Sequence, residues 1–310
     1  MGQPFFVFLT RTLEWDSFPL PLLRHGGGTS AISCARRRIP CAQEIAGQAR
    51  DDGKGERGRY EKTSITMLTK NTIKQIASLR QQKFRKELGL FVVEGRKMVE
   101  ELLHSQFETV GLYATEAFLA DYPSYADAEI VSEVQMEQMS GQDTPPGILA
   151  VVRIPVQGDI KIKSHFVLAL DGIANPGNMG TLIRTAEWFG ISDVVCSKDC
   201  VELWNPKTVQ ATMGSLFRVK VWKTDLAAYL RKAKDEGKSV YGALLEGEDL
   251  FQLKAKPEGI IVIGSESHGI RPEVLPCITH PITIPRVGGS ATESLNAAVA
   301  GAIIIAEMTK

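Results

Sequence analysis

The chain has 310 residues with 36 basic and 36 acidic side chains, so its formal net charge is zero. This length suffices for two domains with apolar cores, and the balanced charge excludes a global attraction to nucleic acid, so that any such binding surface must be a local patch. The five cysteines include no Cys-x-x-Cys pair, which argues against a zinc site and favours reduced thiols in the cytoplasm. No apolar run approaches the roughly 20 residues that span a bilayer, so we expect a soluble, cytoplasmic protein.

Residues 1–66 differ in character from the rest of the chain. Arginine-rich and glycine-rich clusters alternate there with short apolar stretches that follow no helical or strand period. A targeting peptide is one interpretation, but seven acidic side chains argue against an organelle transit peptide. We expect a disordered extension, or a segment upstream of a true start at Met67.

A basic stretch at 70–86 opens the ordered patterning. It contains no acidic residue, and Ile73, Ile76 and Leu79 recur on one face of a helix. Such a run is usually a solvated helix face, and contact with phosphate becomes the better interpretation only beside an RNA-directed active site. Its basic residues are Lys70, Lys74, Arg80, Lys83, Arg85 and Lys86.

Residues 67–157 are predicted to form one small α/β domain. A strand at 90–93 precedes an amphipathic helix with Met98, Val99 and Leu102 on its apolar face, and 148–154 has the pattern of a last strand. The polar segment 158–165 is predicted to be a linker to a second domain, 166–310.

Residues 166–310 alternate between strand and helix patterns. This alternation predicts a mainly parallel sheet with helices on both faces. Strands are expected near 166–171, 193–196, 218–222, 239–244, 260–264 and 282–284. Helices are expected near 180–189, 205–213, 225–236, 272–277 and 292–308, the last capped by Ser290 or Thr292 with Glu293 in its first turn.

Three junctions of this domain combine an apolar strand with a glycine-rich turn and a few polar side chains. They lie at 170–190, 260–269 and 281–310. In open α/β sheets, ligands bind outside the carboxyl ends of the strands, where such loops converge. Each junction alone is a weak signal, but three in one domain indicate a binding site.

The order and content of these junctions resemble the three motifs of the SpoU (TrmH) family of RNA 2'-O-ribose methyltransferases in the SPOUT superfamily. Those motifs read N…G…R-T-A, G-x-E-x-x-G and I-P…S-L-N. The third motif often continues with methionine after proline, where this chain has Arg286. The matching residues are Asn178, Gly180, Arg184, Thr185 and Ala186, then Gly264, Glu266 and Gly269, then Ile284, Pro285, Ser294, Leu295 and Asn296.

The resemblance implies an enzyme that transfers a methyl group from S-adenosylmethionine to a ribose 2'-hydroxyl in structured ribosomal or transfer RNA. It also implies an α/β trefoil-knot (SPOUT) domain with a parallel sheet, a homodimer formed through that domain, and no metal. The segment 91–102 more loosely resembles the small ribosomal-protein-like RNA-binding domain that precedes the catalytic domain in many members.

Five residues acquire catalytic or positioning roles from the resemblance. We expect Arg184 in the first turn or so of the helix after the Asn178 loop, where it would bind the neighbouring phosphate and stabilise the developing alkoxide, because a guanidinium stays protonated and is a poor base. Glu266 is expected to orient Arg184 or to accept hydrogen bonds from loop amides. Asn178, Ser294 and Asn296 are expected to position the ribose and the cofactor.

The family binds its cofactor against backbone at positions that match Gly264, Ile284 and Leu295 of this chain. Leu244 and the Met213-Gly214 pair, which lie at two other element ends, are weaker candidates for the same role. The cofactor-binding candidates are therefore Gly264, Ile284, Leu295, Leu244, Met213 and Gly214.

Two alternatives remain at this stage. The first is a catalytically inactive RNA-binding protein of the same fold, which the presence of all five candidate residues argues against. The second is a different α/β enzyme that binds NAD or ATP at the same edge of the sheet. The second alternative would be supported by a G-x-G-x-x-G run or by an acidic metal-binding cluster. The junction at 170–190 contains no such run, and no such cluster stands out in the sequence.

Overall fold

The computed structural model describes residues 68–254, 258–288 and 293–310, which lie within one compact unit. The expectations for residues 1–66 therefore lie outside the described residues. The helices are α1 (Lys70–Ser78), α2 (Gln82–Leu88), α3 (Arg96–Leu103), α4 (Glu116–Asp121), α5 (Glu133–Met139), α6 (Pro176–Trp188), α7 (Pro206–Ala211), α8 (Leu226–Asp235) and α9 (Ala297–Met308). The strands are β1 (Leu90–Glu94), β2 (Thr109–Thr115), β3 (Glu129–Val131), β4 (Ile148–Arg153), β5 (Phe166–Asp171), β6 (Asp193–Ser197), β7 (Lys220–Thr224), β8 (Val240–Asp249), β9 (Gly259–Gly264) and β10 (His280–Thr283).

The N-terminal sheet has four strands in the order β1-β4-β2-β3. Successive side chains of a strand point to opposite faces, and both faces of this sheet are covered. Phe91 and Val93 lie in the same apolar cluster as Met98 of α3, whereas Val92 clusters with Ile76 of α1 and Met136 of α5. The sheet is therefore a buried layer between helices.

The basic stretch at 70–86 forms two helices instead of one. Thr69 caps α1 through its side chain, and the chain turns at residues 79–81 before α2 begins. Ile73, Ile76 and Leu79 are buried, which confirms the predicted apolar face. The turn separates the two groups of basic side chains.

The C-terminal sheet has six parallel strands in the order β10-β8-β9-β5-β6-β7. Leu168 packs in one cluster with Leu182 of α6 and Ile304 of α9, and Val167 packs on the opposite face with Leu230 of α8. The predicted parallel sheet with helices on both faces is confirmed. The carboxyl ends of its strands form one edge, which carries all three junctions.

Two glycines allow the helices around α6 to approach closely. A Cβ on Gly180 of α6 would lie 2.4 Å from the Cβ of Ala211 in α7. A Cβ on Gly301 of α9 would lie 2.4 Å from Cδ2 of Leu182 in α6. The glycine of the first motif therefore serves the packing of α6 against α7.

Two predicted helices near the end of the chain differ from the structure. At 272–277 there is only a single 3-10 turn, Leu275–Cys277, since Pro276 lacks the backbone N–H that a continuing helix would need. The last helix begins at Ala297, so Glu293 precedes it and does not lie in its first turn. The expected caps Ser290 and Thr292 lie outside the described residues.

Candidate active site

The first junction places Asn178 in the first turn of α6. The side chain of Asn175 accepts hydrogen bonds from the backbone N–H groups of Gly177 (2.8 Å) and Asn178 (3.1 Å), and Pro176 occupies the first helical position. The helix therefore begins at 176 and not near 180 as predicted. Arg184 lies about 9 Å further along the helix axis, not in its first turn.

The second junction is a tight loop that projects Glu266 into solvent. Ser265 and Gly269 exchange two backbone hydrogen bonds, of 3.0 and 2.9 Å, so the loop folds back onto the end of β9. A Cβ on Gly264 would lie 2.2 Å from the carbonyl carbon of Gly269, and Gly269 has a φ of +64°. Both glycines of the second motif are thus required by backbone geometry.

The third junction positions Asn296 as the N-cap of α9. Its Oδ1 accepts hydrogen bonds from the backbone N–H groups of Ala298 (2.9 Å) and Val299 (3.3 Å). The cap therefore comes from the motif asparagine and leaves its amide nitrogen available for another partner.

Side-chain hydrogen bonds join the three junctions into one cluster. The Nδ2 of Asn296 donates to Oδ1 of Asn178 (3.2 Å), and the Nδ2 of Asn178 donates to Oε1 of Glu266. Because a carboxylate only accepts, the amide group of Asn178 must turn its nitrogen towards Glu266 and its oxygen towards Asn296. Glu266 is thus held by Asn178. The prediction was that it would orient Arg184 or accept hydrogen bonds from loop amides. We call these three residues the amide–carboxylate cluster.

Arg184 and Ser294 do not join this cluster. Both side chains are exposed, and neither has a hydrogen bond or an ion pair within the described part of the chain. Six helical residues rotate by 600°, which places Arg184 roughly 120° away from Asn178 around α6. Arg184 therefore points away from the cluster of its own chain.

Four of the cofactor candidates lie along one edge of the sheet. Gly264 ends β9, and Leu244 lies two residues beyond the last pairing of β8 with β9, level with Gly264. Residues 243–247 bulge out of the pairing between β8 and β10, and Ile284 follows β10 directly. Leu295 is 46% exposed beside Asn296. Glycine backbone together with incompletely covered apolar side chains suits the face and edge of a nucleoside.

The other two cofactor candidates lie elsewhere. Gly214 has a φ of +96°, and a Cβ there would lie 2.7 Å from Cγ of Glu101 on α3. The next residue, Ser215, hydrogen-bonds Glu187 near the far end of α6. Gly214 therefore packs against α3, and Met213 beside it is 40% exposed, so neither lies with the other four candidates at the edge of the sheet. That they bind the cofactor stays a prediction.

The predicted RNA-binding residues divide into two groups. Lys70, Lys74, Lys83 and Lys86 are exposed. Arg80 is exposed, but its guanidinium donates to the carbonyls of Gln138 (2.9 Å) and Ser140. Arg85 is only 2% exposed and pairs with Glu202. The prediction that Arg85 contacts RNA is therefore wrong, because its side chain is buried.

One ion-pair network at the edge of the sheet was not predicted. Asp171, fully buried at the end of β5, accepts hydrogen bonds from the Nε (2.7 Å) and backbone N–H (2.8 Å) of Arg271. The hydrogen bond to Asp171 raises the pKa of Arg271 further, and Arg271 also pairs with Asp199 and Glu273 at 3.2 Å. The pairing spans 100 residues, so no local pattern indicates it.

A cavity of about 390 Å³ adjoins this network beside the start of α8. Three cationic and three anionic side chains line it, so their charges cancel and no excess of one sign marks a site for an ion. They are Lys198, Arg231, Arg271, Asp199, Asp225 and Glu273.

Within residues 68–254, 258–288 and 293–310, no group of three or more His, Cys, Asp or Glu side chains is arranged to hold a metal ion. In the same ranges no helix has the length and apolar character needed to cross a membrane.

Comparisons with known proteins give the family of the chain. Residues 165–306 match the SpoU rRNA Methylase family, and residues 70–150 match the MRM3-like substrate binding domain. The chain is 29% identical to the 23S rRNA (guanosine(2553)-2'-O)-methyltransferase RlmP of Bacillus subtilis, over 75% of this chain and 94% of that protein.

Two solved structures are similar over nearly their whole length. A putative RNA methyltransferase of the TrmH family from Porphyromonas gingivalis has 38% identity and a TM-score of 0.71, covering 78% of this chain and 98% of that one. An AdoMet-bound rRNA methyltransferase from Sinorhizobium meliloti has 26% identity and a TM-score of 0.69, covering 79% and 96%.

The chain belongs to the SpoU (TrmH) family of RNA 2'-O-ribose methyltransferases. The predicted fold class, an α/β trefoil-knot (SPOUT) domain preceded by a small substrate-binding domain, is confirmed. The predictions of an RNA 2'-O-methyltransferase and of S-adenosylmethionine as its cofactor are also confirmed.

Proposed function

We propose that this enzyme methylates a ribose 2'-hydroxyl of ribosomal RNA, and that the amide–carboxylate cluster of Asn178, Glu266 and Asn296 organises the reaction. The observation that carries the proposal is the hydrogen-bonded chain from Asn296 through Asn178 to Glu266. It joins the loops of all three motifs at the carboxyl edge of the sheet, where ligands bind in open α/β folds. Ribosomal RNA is favoured because the Bacillus subtilis relative acts on 23S rRNA.

The edge formed by Gly264, Leu244, Ile284 and Leu295 would hold S-adenosylmethionine. When bound there, this cofactor supplies an activated methyl group on a sulfonium. The glycine backbone allows close approach, and the apolar side chains cover the face of the nucleoside. Asn296 and Ser294 border this edge, so both can also contact the ribose of the substrate.

Arg184 is assigned to the RNA phosphate next to the target ribose. Its guanidinium has no hydrogen bond or ion pair within the described residues. It lies about 9 Å along α6 from Asn178 and is turned roughly 120° from it, so its proposed partner is a phosphate beside the ribose and not the cluster itself. Held there, it stabilises the negative charge that develops on the 2'-oxygen. The proton of the hydroxyl passes to phosphate or to water, since the guanidinium does not accept it.

The exposed lysines of α1 and α2 are assigned to phosphate contacts further along the RNA. Lys70, Lys74, Lys83 and Lys86 are exposed cations within the stretch 70–86, which contains no acidic residue, on a chain of zero net charge. In this assignment residues 67–157 are the substrate-binding domain, 158–165 the linker and 166–310 the catalytic domain. The protein would act in the cytoplasm, where bacterial ribosomal RNA is found.

A homodimer through the catalytic domain is supported by the composition of α9. Glu307 is its one charged residue, and a helix that is apolar on all sides is normally buried all round. Here Val299 is 49% exposed and Ile303 is partly exposed, while Trp188 at the end of the neighbouring α6 is 84% exposed. A second copy packed on the outer sides of α6 and α9 would cover them.

The test is methyl transfer from tritiated S-adenosylmethionine to ribosomal RNA from a strain that lacks the gene, followed by analysis of alkali-resistant dinucleotides. The full chain is expected to label such dinucleotides, because a methylated 2'-oxygen blocks alkaline cleavage. Asn178→Ala, which breaks the cluster, is expected to lower the rate by about 100-fold. Gln252→Ala, which removes an exposed amide elsewhere, should leave it unchanged.

Cofactor binding without transfer to any RNA would favour the inactive RNA-binding protein. Label confined to transfer RNA would contradict the proposed substrate.

A further inference from the structure

Arg85 is a buried cation in the middle of the proposed RNA-binding helices. Its Nη1 donates to the carbonyls of Leu79 (2.7 Å) and Arg80 (2.8 Å), which lie just beyond the end of α1. Its Nε donates to Oε1 of Glu202 (3.2 Å), and its Nη2 pairs with the other carboxylate oxygen. One guanidinium therefore ties α2 and the end of α1 to a residue of the C-terminal part of the chain.

Glu202 lies in a segment that contacts the loop before α6. Val201, its neighbour, donates its backbone N–H to the carbonyl of Ile173 (2.8 Å), and Cys200 Sγ donates to the carbonyl of Leu170 (3.3 Å). Ile173 precedes the cap residue Asn175 by two positions. A short covalent and hydrogen-bonded connection thus runs from the basic helices to the loop that positions Asn178.

Aromatic packing holds the same segment from a second direction. The ring of Trp204 lies 4.7 Å from that of Phe91 and 6.1 Å from that of Phe107. Phe107 also packs against Phe217, at 5.2 Å, from the turn before β7. The segment around Glu202 is therefore enclosed by the N-terminal sheet, and a shift of one part would move the other.

We propose that the Arg85–Glu202 pair is a positioning device, which fixes the RNA-binding helices relative to the Asn178 loop so that bound RNA presents its ribose to the cluster. This inference rests on the proposed function. Lys83 and Lys86 flank Arg85 in α2 and are exposed, so the orientation of α2 sets where these cations meet the RNA. Neither member of the pair touches the cofactor edge, so its effect falls on RNA docking.

The test compares Glu202→Gln with the full-length wild type in steady-state methylation of ribosomal RNA. The variant keeps the shape of the side chain but leaves the buried guanidinium without a counter-charge. The KM for RNA is expected to rise about tenfold, with little change in kcat or in the dissociation constant of S-adenosylmethionine. Glu202→Asp, which retains the charge, should recover part of the loss.

Two further variants separate positioning from stability. Glu108→Gln breaks an exposed ion pair with Arg153 and should leave the KM for RNA unchanged. The double variant Arg85→Met, Glu202→Leu replaces the buried pair with apolar side chains, which often preserves stability. It should still show the raised KM, because the bonds to the carbonyls of Leu79 and Arg80 are lost.

Several outcomes would overturn the inference. An unchanged KM for RNA in both Glu202→Gln and the double variant would remove the role of the pair and leave the proposed function intact. If RNA affinity and cofactor affinity fell equally, together with the melting temperature, the pair would only stabilise the fold and would have no positioning role. Wild-type protein that transfers no methyl group to any RNA would overturn the proposed function, and this inference with it.

Discussion

At the scale of single residues, the chemistry of Asn178 explains why an amide occupies the centre of the cluster. It donates to a carboxylate on one side and accepts from an amide on the other, and an amide combines both capacities on one small planar group. An aspartate would place a second carboxylate against Glu266, and a hydrophobic residue would leave both partners unpaired. The identity of this residue is therefore dictated by its neighbours.

The proposed role of Arg184 predicts a specific effect of Arg184→Lys. Lysine keeps the charge but loses the planar fork that binds phosphate through two parallel hydrogen bonds. We expect kcat to fall by about 100-fold while RNA affinity changes little, as measured in single-turnover methylation and in filter binding. Arg231→Lys on α8 is the matched control, since Arg231 is also exposed. Full activity with intact RNA binding would rule out this role.

At the scale of elements, Asp193 ties the segment before β5 to the C-terminal sheet. Its Oδ2 accepts from the backbone N–H groups of Lys163 (2.8 Å) and Ser164 (2.7 Å) and from the hydroxyl of Ser164 (2.7 Å). Burial alone would raise the pKa of Asp193, but these hydrogen bonds outweigh it, and the pKa lies below its usual value of 3.8. The ionised carboxylate thus stabilises the start of the domain.

Asp193→Asn is expected to lower the free energy of unfolding at pH 7 by about 1–3 kcal/mol. A carboxyl group with a lowered pKa in the folded state stabilises the protein above its unfolded pKa, and the stabilisation is lost as the pH falls below 3.8. The difference between wild type and variant should therefore shrink below that pH. Urea unfolding at pH 7 and in steps below pH 4 measures it.

Asp235→Asn on the exposed side of α8 is the control for this series. It should show neither the loss at pH 7 nor the convergence in acid, since Asp235 has no hydrogen bond or ion pair within the described residues. A constant difference between Asp193→Asn and wild type across the whole pH range would contradict the assignment.

At the scale of the whole molecule, α6 and α9 lie side by side on one face of the sheet. Asn296 reaches Asn178 near the start of both helices, and Gly301 meets Leu182 one turn later, so the two helices run in the same direction. Their outer sides carry the exposed Val299 and Trp188. These exposed apolar side chains are the basis for the proposed homodimer.

Val299→Glu is expected to convert the proposed homodimer into a monomer, because two carboxylates would be buried without counter-charges in the interface. The molar mass in solution, measured by light scattering after size-exclusion chromatography, reports the change. Leu275→Glu introduces the same charge at a residue that is 40% exposed away from these helices, and should leave the dimer intact. A wild type that is monomeric at all concentrations would refute the proposal.

The sequence predicted the parts of the fold that depend on local pattern. Every strand of the C-terminal sheet begins within two residues of its predicted start, because buried parallel strands are short apolar runs between glycine-rich turns, but β8 runs five residues beyond its predicted end. The start of α6 was predicted four residues too late, since the glycine at 177 obscured the Asn-Pro signal at 175–176. The residues that form the cluster were named, but not the hydrogen bonds between them.

By itself, the sequence determined the family, the alternating architecture and the loops that carry the site, since periodicity and motif spacing are local properties of the chain. Only the tertiary structure decided which charged side chains are free to act. Arg85 and Lys86 are neighbours in one basic run, yet Arg85 is buried by a partner 117 residues away, and Lys86 remains exposed. Burial and pairing depend on the segments that the fold brings together, and those contacts leave no mark in the local pattern.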